Sequence, residues 1–179
     1  MIAVFLANGF EEIEALATVD ILRRAGLEIL TVGVDTDTPV GAHAMPIQTD
    51  IPQEKLDVAA LSAVVLPGGM PGTRNLDASP VVHAALDYAI LHKLPVGAIC
   101  AAPSILGRRG LLQGRRATCY PGFESALTGA SLSEEPVITD RQFTTARGAG
   151  VAVDFALELV RILVDEQTAL AIRGSIQCR

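Results

Sequence analysis

Short apolar runs alternate with longer amphipathic segments along this chain, and this alternation limits the possible folds more than any other sequence feature. The runs predict β-strands and the segments between them predict helices. Strands with apolar residues on both sides are typical of a parallel sheet covered by helices on both faces. We therefore expect a doubly wound α/β sheet in a single domain spanning residues 1–179. The expected strands are 2–6, 28–34, 63–66, 95–99, 137–139 and 143–146, and the expected helices are 11–25, 80–91, 101–109, 151–164 and one that begins at 166.

Composition excludes several classes of protein. Half of the residues are hydrophobic, which is enough for a packed core and argues against disorder. No apolar run approaches the roughly 18 residues of a membrane span, and the N-terminus has no signal-peptide pattern. The net charge of −6, without a basic block, argues against a nucleic-acid partner. The expectation is a cytoplasmic protein that binds neither nucleic acid nor membrane.

The three cysteines Cys100, Cys119 and Cys178 form no metal-binding or disulfide pattern, because their number is odd and no CxxC spacing occurs. Cys100 differs from the other two in its local sequence. A strand runs directly into it, a helix is expected immediately after it, and the small residues Ala98 and Ala102 flank it. This is the pattern of a nucleophile held on a sharp strand-to-helix turn. A thiol at a helix N-terminus should have a lowered pKa. The alternative is a small residue that fills a strand end.

Glu14 is the second candidate catalytic residue. On the first helix it lies on the side of Ala17, Thr18 and Ile21, where Ile13, Ala17 and Ile21 are expected to form the apolar face. A carboxyl in that position is partly desolvated, which raises its pKa and suits it to transfer protons. The alternative is an acid on the solvent side of the helix.

The glycine-rich segment 67–72 follows a strand and offers backbone N–H groups that can form an oxyanion hole or simply a tight turn. It has neither the Gly-Lys-Ser/Thr ending of a phosphate loop nor the GxGxxG of a dinucleotide fold. We therefore expect chemistry that needs no cofactor and no metal.

Four sequence blocks occur in the order known from one superfamily. They are NGFEEIE at 8–14, LPGG at 66–69, AICAAP at 98–103 and RGAG at 147–150. Together they resemble the ThiJ/PfpI superfamily, and most closely the branch of the parkinsonism-associated protein and its bacterial relatives. The resemblance extends over essentially the whole chain. It implies a flavodoxin-like sandwich that forms a homodimer, with the first helix near the symmetry axis.

The resemblance also assigns roles to individual residues. Cys100 matches the reactive cysteine, and Glu14 matches the acid that hydrogen-bonds its sulfur or the oxygens of its oxidised form. Gly69 and Ala101 match the backbone groups of the oxyanion pocket. Three further residues match positions at the pocket rim or the dimer contact, namely Arg24, His43 and Arg147.

One position departs from the family pattern. Many relatives have a histidine before the proline in the block that here reads Thr118-Cys119-Tyr120-Pro121. A phenol is protonated at neutral pH and is a poor base. A Cys–His dyad is therefore not expected, and Glu14 must transfer protons alone, with Tyr120 as a hydrogen-bond donor.

Two functions of different classes follow from these residues. The first is an enzyme of the glyoxalase III or deglycase type, in which the Cys100 thiolate adds to a small dicarbonyl and Glu14 moves a proton. The second is a redox-sensing stress protein or chaperone, in which Cys100 oxidises to a sulfinate that a protonated Glu14 stabilises. A role in thiamine metabolism rests only on older superfamily names.

Overall fold

The computed structural model describes residues 1–178 and contains a seven-stranded sheet. The sheet strands are β1 (Ile2–Leu6), β2 (Ile29–Gly33), β3 (Ile51–Pro52), β4 (Ala63–Leu66), β5 (Val96–Ile99), β8 (Val137–Asp140) and β9 (Phe143–Ala146). They lie in the order β3-β2-β1-β4-β5-β9-β8, and all neighbours are parallel except β8 and β9. This is the expected mostly parallel, flavodoxin-like α/β sheet. From β1, the chain adds β2 and β3 on one side and β4 and β5 on the other, so the direction of winding reverses beside β1.

Helices cover both faces of the sheet. They are α1 (Glu12–Arg24), α2 (Gly72–Ala78), α3 (Pro80–Leu91), α4 (Pro103–Arg108), α5 (Ala152–Leu163) and α6 (Glu166–Ser175). The side chains of β1 alternate between two cores. Val4 and Leu6 pack with α1, α5 and α6, whereas Ala3 and Phe5 pack with α2, α3 and α4. Burial on both sides explains why the strand sequences are apolar throughout.

Helix α1 has a different buried face from the one expected. Ile13 is 58% exposed and Leu16 is 37% exposed, whereas Ala15, Val19 and Leu22 are fully or almost fully buried. The helix is rotated so that this second stripe packs against α5. The expected apolar face at positions 13, 17 and 21 is therefore wrong for its N-terminal half. The rotation also carries Glu14 into the interior of the protein.

Several short elements were not expected from the sequence. They are α2, the two-residue strand β3, and a separate two-stranded sheet formed by β6 (Arg116–Ala117) and β7 (Ser131–Leu132). Residues 38–50 form an excursion closed by an antiparallel bridge between Val40 and Pro46. Within residues 1–178, no helix has the length and apolar character needed to cross a membrane.

Candidate active site

Cys100 lies at the point where β5 ends, in a backbone conformation that is unusual for a non-glycine residue. Its φ is +64°, in the left-handed region. Its N–H donates to the Ala146 carbonyl at 2.8 Å, and its carbonyl accepts from the Tyr120 N–H at 2.8 Å. Two neighbouring segments thus hold the turn in place. Strain of this kind, fixed by surrounding hydrogen bonds, is common at functional sites.

Glu14 reaches the same point from the first turn of α1. It is 1% exposed, and its Oε2 accepts the Gly68 N–H at 2.8 Å. Its Oε1 is buried and makes no hydrogen bond of ordinary geometry within residues 1–178. Burial raises the pKa of Glu14 to about 7, although the Gly68 hydrogen bond and the Cys100 thiol oppose the shift. The Glu14 carboxyl can therefore gain or lose a proton near neutral pH.

The glycine-rich loop packs closely against both side chains. A Cβ on Gly68 would lie 2.6 Å from the Cys100 Cβ and 2.7 Å from the Glu14 Oε2, so any side chain there would displace one of them. The N–H groups of Gly69 and Ala101 both interact with the Cys100 sulfur as hydrogen-bond donors. Two converging backbone donors can also stabilise an oxyanion that forms on an atom bonded to that sulfur.

The structure does not give Cys100 the lowered pKa expected from the sequence. Burial, together with the charge of Glu14, raises the pKa of the thiol to about 12, against the opposing effect of the Gly69 and Ala101 N–H groups. Helix α4 begins three residues after Cys100 and has only six residues, so its dipole contributes little. While Glu14 is charged, the proton therefore stays on sulfur. Protonation of Glu14 removes the repulsion, so formation of a thiolate is coupled to proton transfer to the carboxyl.

Tyr120 and Gly148 form the rim above Glu14. A Cβ on Gly148 would lie 3.2 Å from the Tyr120 Cδ2 and 3.9 Å from the Glu14 Oε1. The Tyr120 side chain is about half exposed. Position 120 thus presents an aromatic ring to the solvent side of the site. The absence of a side chain at Gly148 leaves space beside the unpartnered carboxyl oxygen.

His43 lies beside Glu12 rather than beside the Glu14–Cys100 pair. Its Nδ1 is 2.8 Å from the Glu12 Oε2 and 3.6 Å from the Glu11 Oε2. The hydrogen bond to Glu12 raises the pKa of His43, and the same contacts outweigh the burial of Glu12 and lower its pKa. The three side chains could offer metal ligands within 4.8 Å of one another, but they already form an ion pair.

Arg24 and Arg147 do not contact the Cys100 sulfur in this arrangement. Arg24 lies ten residues, or about 15 Å, along α1 from Glu14 and pairs with Asp20 at 2.7 Å. The structure thus places Arg24 away from the Cys100 sulfur, and its expected role at the dimer contact stays a prediction. Arg147 donates to the Glu134 carbonyl at 3.2 Å and lines a neighbouring cavity of about 340 Å³ with Cys119. Cys119 is buried there, on the other face of the sheet from Cys100.

Two contributions to the site do not follow from the sequence. One is the Gly68 N–H that orients Glu14, and the other is the space at Gly148 beside Glu14. Both residues lie in conspicuous sequence blocks, Gly68 in LPGG at 66–69 and Gly148 in RGAG at 147–150. A glycine directly after a strand indicates that another group approaches the backbone closely at that point. Only the fold shows which side chain that group belongs to.

A flavodoxin-like α/β sheet with a cysteine on a strained turn after a central strand, and a buried glutamate against it, defines a class of cysteine-centred proteins. The model of the DJ-1/PfpI family matches residues 1–162. The chain belongs to the DJ-1/PfpI family.

Individual relatives agree with this assignment. The chain is 31% identical over 173 residues to Protein DJ-1 homolog B of Arabidopsis thaliana, a match that covers 96% of this chain and 40% of the plant protein. The chain therefore spans well under half of that relative. It is 33% identical over 156 residues to the glutathione-independent glyoxalase DJR-1.2 of Caenorhabditis elegans, covering 86% and 82% of the two chains. A protein of Pyrococcus abyssi named a deglycase is 28% identical over 164 residues, covering 90% and 98%.

Solved structures show the same fold. The oxidized form of Toxoplasma gondii DJ-1 superposes with a TM-score of 0.94 at 30% identity, covering 98% of this chain and 97% of that one. Similarity at this level over nearly the full length fixes the family and the fold. It does not by itself specify a reaction.

Proposed function

We propose that this protein is a cofactor-independent enzyme that converts small dicarbonyls such as glyoxal and methylglyoxal into hydroxy acids, with Cys100 as nucleophile and Glu14 as proton shuttle. The observation that carries the proposal is the buried Glu14 carboxyl against the Cys100 thiol, with one oxygen unpartnered. A carboxyl and a thiol that interact in one buried site can exchange one proton between oxygen and sulfur. That exchange is what addition of a thiol to an aldehyde requires.

The first step forms a carbon–sulfur bond. As the Cys100 sulfur attacks the aldehyde carbon, its proton moves to Glu14 and the carbonyl π electrons move to oxygen. The N–H groups of Gly69 and Ala101, which point towards the sulfur, are suited to stabilise that oxyanion. Return of the proton from Glu14 to the oxygen gives a neutral hemithioacetal.

The second step moves a hydrogen between the two carbons. Glu14 takes the proton from the former aldehyde carbon, and the electron pair moves towards the neighbouring ketone oxygen to give an enediol. Glu14 then returns the proton to the neighbouring carbon, while the hydroxyl proton of the former aldehyde oxygen passes to the oxygen on that carbon. This leaves a thioester on Cys100 and a hydroxyl on the adjacent carbon. Water cleaves the thioester to release the hydroxy acid and restore the thiol, so the net reaction consumes one water and needs no oxidant or cofactor.

The names of two relatives support this substrate class. One is called a glutathione-independent glyoxalase and the other a deglycase. A small carbonyl compound is the shared chemistry of both names. Release of the same adducts from glycated amines is a related reaction that the thiol could begin in the same way.

The test is lactate formation from methylglyoxal by the purified protein and by Cys100→Ser, Glu14→Gln and Cys178→Ser variants. Wild type and Cys178→Ser should form lactate at equal rates. Both site variants should lose at least about 100-fold, the usual contribution of a nucleophile or a positioned proton-transfer group. Lactate formation by Cys100→Ser at the wild-type rate would overturn the proposal.

A redox-sensing function is the second candidate. The observation that favours it is the Glu14 pKa of about 7, since a protonated carboxyl beside sulfur can donate a hydrogen bond to a sulfinate oxygen. The neighbouring solved structure described as oxidized is a related protein. Mass spectrometry after treatment with mild peroxide should then find two oxygens added to Cys100 in wild type. In the Glu14→Gln variant, a smaller fraction of the protein should carry this two-oxygen adduct on Cys100. Oxidation spread evenly over all three cysteines would argue against it.

We also propose that residues 1–179 form one domain that works as a cytoplasmic homodimer. The exposed Ile13 and Leu16 on α1 support the dimer, because apolar side chains of this size on one helix face are stabilised by a partner surface. Light scattering should give a dimer mass for wild type and a monomer mass for Ile13→Glu. A monomeric wild type would contradict the dimer without affecting the proposed reaction.

A further inference from the structure

A basic cavity of about 590 Å³ lies at the edge of the sheet opposite Cys100. Lys93 and Pro95 border it just before β5, and Arg141 and Gln142 border it just before β9. Cys100 follows the other end of β5, about 13 Å away for a four-residue strand. The cavity is therefore separate from the site described above.

The cations of this cavity differ from most others in the chain. Lys93, Arg115 and Arg141 line it, and no acidic side chain does. Among residues 1–178 none of these three forms a salt bridge, whereas most other arginines do. The paired arginines are Arg23, Arg24, Arg108, Arg109, Arg116, Arg161 and Arg173. In an acidic protein, three unpaired cations around one concavity leave a local excess of positive charge.

Arg115 is held in position by its surroundings. Its guanidinium lies over the Phe143 ring at 5.0 Å, and its Nε donates to the Leu111 carbonyl at 3.1 Å. Its Nη1 is buried without a hydrogen-bond partner among the described residues. A charged donor left without an acceptor is costly, and an incoming anion can satisfy such a guanidinium after a small adjustment.

The backbone around the cavity is also fixed. Lys93 and Arg141 both have a φ of +56°, a conformation that non-glycine residues adopt rarely. The Gln142 Nε2 donates to the Ala89 and Leu94 carbonyls at 3.3 and 3.0 Å, which ties the turn before β9 to the end of α3. The cations therefore stand on restrained turns rather than on mobile loops.

Two helices end beside the cavity, and their dipoles partly offset its charge. Ile90 near the end of α3 and Ile162 near the end of α5 line it. Each helix C-terminus carries about half a negative charge, so three cations leave roughly two positive charges in excess. A dianionic phosphate matches that excess better than a single carboxylate does. The two isoleucines and Pro95 provide an apolar wall for the carbon part of a ligand.

We propose that this cavity binds a small organic phosphate, with the phosphate held by Lys93, Arg115 and Arg141. The apolar wall contacts the rest of the ligand. This site is independent of the proposed dicarbonyl reaction.

The test measures binding of glycerol 3-phosphate by titration calorimetry in a phosphate-free buffer of low ionic strength, with glycerol as the neutral probe. The site variant is Lys93→Gln with Arg141→Gln, whose parent side chains are both exposed, so that folding is preserved. The matched control is Lys55→Gln with Arg74→Gln, which removes the same charge from exposed positions elsewhere.

Wild type and the control pair should bind glycerol 3-phosphate saturably with affinities within about threefold, and neither should bind glycerol. The site pair should bind at least about tenfold more weakly, the loss expected when charge-assisted hydrogen bonds are removed. Lactate formation by the site pair should equal that of wild type. The proposal would be overturned if wild type showed no saturable binding, or if the site variant and the control variant lost affinity equally. The three cations would then serve only to offset the negative C-termini of α3 and α5.

Discussion

Glu14 and Cys100 share one buried site in which the charge of the carboxylate disfavours the charge of the thiolate. Glu14 approaches from α1 with its Oε2 on the Gly68 N–H, and Cys100 sits on the strained turn after β5. Burial raises the pKa of both groups, to about 7 for Glu14 and to about 12 for Cys100, and the Glu14 charge adds to the second shift. The carboxyl of the pair therefore gains or loses its proton near neutral pH, while the proton of the thiol stays on sulfur.

The first prediction concerns stability as a function of pH. The pKa of Glu14 is raised from 4.5 to about 7, so the folded protein is favoured while this group is neutral. That contribution is complete below about pH 4.5 and is lost as the pH rises through about 7. It amounts to about 3 kcal/mol in the free energy of unfolding, because one pKa unit corresponds to about 1.4 kcal/mol.

Urea denaturation at about pH 5 and about pH 8.5 checks this prediction. The Glu14→Gln variant should lose most of the decrease in unfolding free energy that wild type shows between these values. Its amide oxygen can still accept the Gly68 hydrogen bond, so the fold should persist. Glu54→Gln, which changes an exposed glutamate, should keep the wild-type dependence. If the unfolding free energy of Glu14→Gln fell between these pH values as much as that of wild type, ionisation of Glu14 would not destabilise the folded protein, and the prediction would be wrong.

The second prediction concerns the thiol itself. Removing the Glu14 charge should lower the pKa of Cys100, because the repulsion between carboxylate and thiolate disappears while burial remains. We expect the midpoint of the pH profile for iodoacetamide alkylation to move down by at least about one unit in Glu14→Gln. The measurement uses a Cys119→Ser, Cys178→Ser background so that one thiol reacts. A midpoint that moves up would show that Glu14 assists ionisation of the thiol even in the absence of substrate.

Apolar patterning predicted most of the fold, because a parallel sheet buried on both faces leaves a clear signal in every strand. The strand 63–66 and the helix 80–91 were placed correctly to the residue. The buried face of α1 could not be predicted in the same way. Ile13 and Leu16 are as apolar as Val19, and only packing against α5 decides which side of the helix is buried. Elements of two residues, such as β3 and β6, carry too little periodicity to be detected.

The site was predictable only in part, for a related reason. A cysteine between a strand and a helix is visible in the sequence, but its pKa depends on what surrounds it in the fold. The sequence suggested a helix directly after Cys100, whereas α4 starts at Pro103 and the nearest charge is that of Glu14. Contacts between Gly68 and Glu14, 54 residues apart, cannot be inferred from local spacing.

The third prediction concerns the space beside Glu14. In Gly148→Ala the added methyl would lie 3.2 Å from the Tyr120 ring and 3.9 Å from the Glu14 Oε1, where a substrate must approach. We expect the KM for methylglyoxal to rise about tenfold, since one methyl group in a tight pocket changes binding by about 1–3 kcal/mol. Gly150→Ala is the matched control, because no atom lies within 4 Å of its added Cβ. Equal kinetics for the two variants would show that substrate does not pass Gly148.

The fourth prediction separates the ring of Tyr120 from its hydroxyl. The ring packs over Gly148 at the rim, and about half of the side chain is exposed, so solvent competes for any hydrogen bond the hydroxyl makes. Tyr120→Phe should therefore keep lactate formation within about fivefold of wild type, because an exposed hydrogen bond contributes about 1 kcal/mol or less. Tyr120→Ala removes the aromatic cover beside the Glu14 Oε1 and admits water to the carboxyl. Water lowers the pKa of Glu14, so the lower limb of the kcat/KM profile should shift towards acid pH in Tyr120→Ala and stay in place in Tyr120→Phe. A large loss in Tyr120→Phe would instead assign the hydroxyl a direct role in proton transfer.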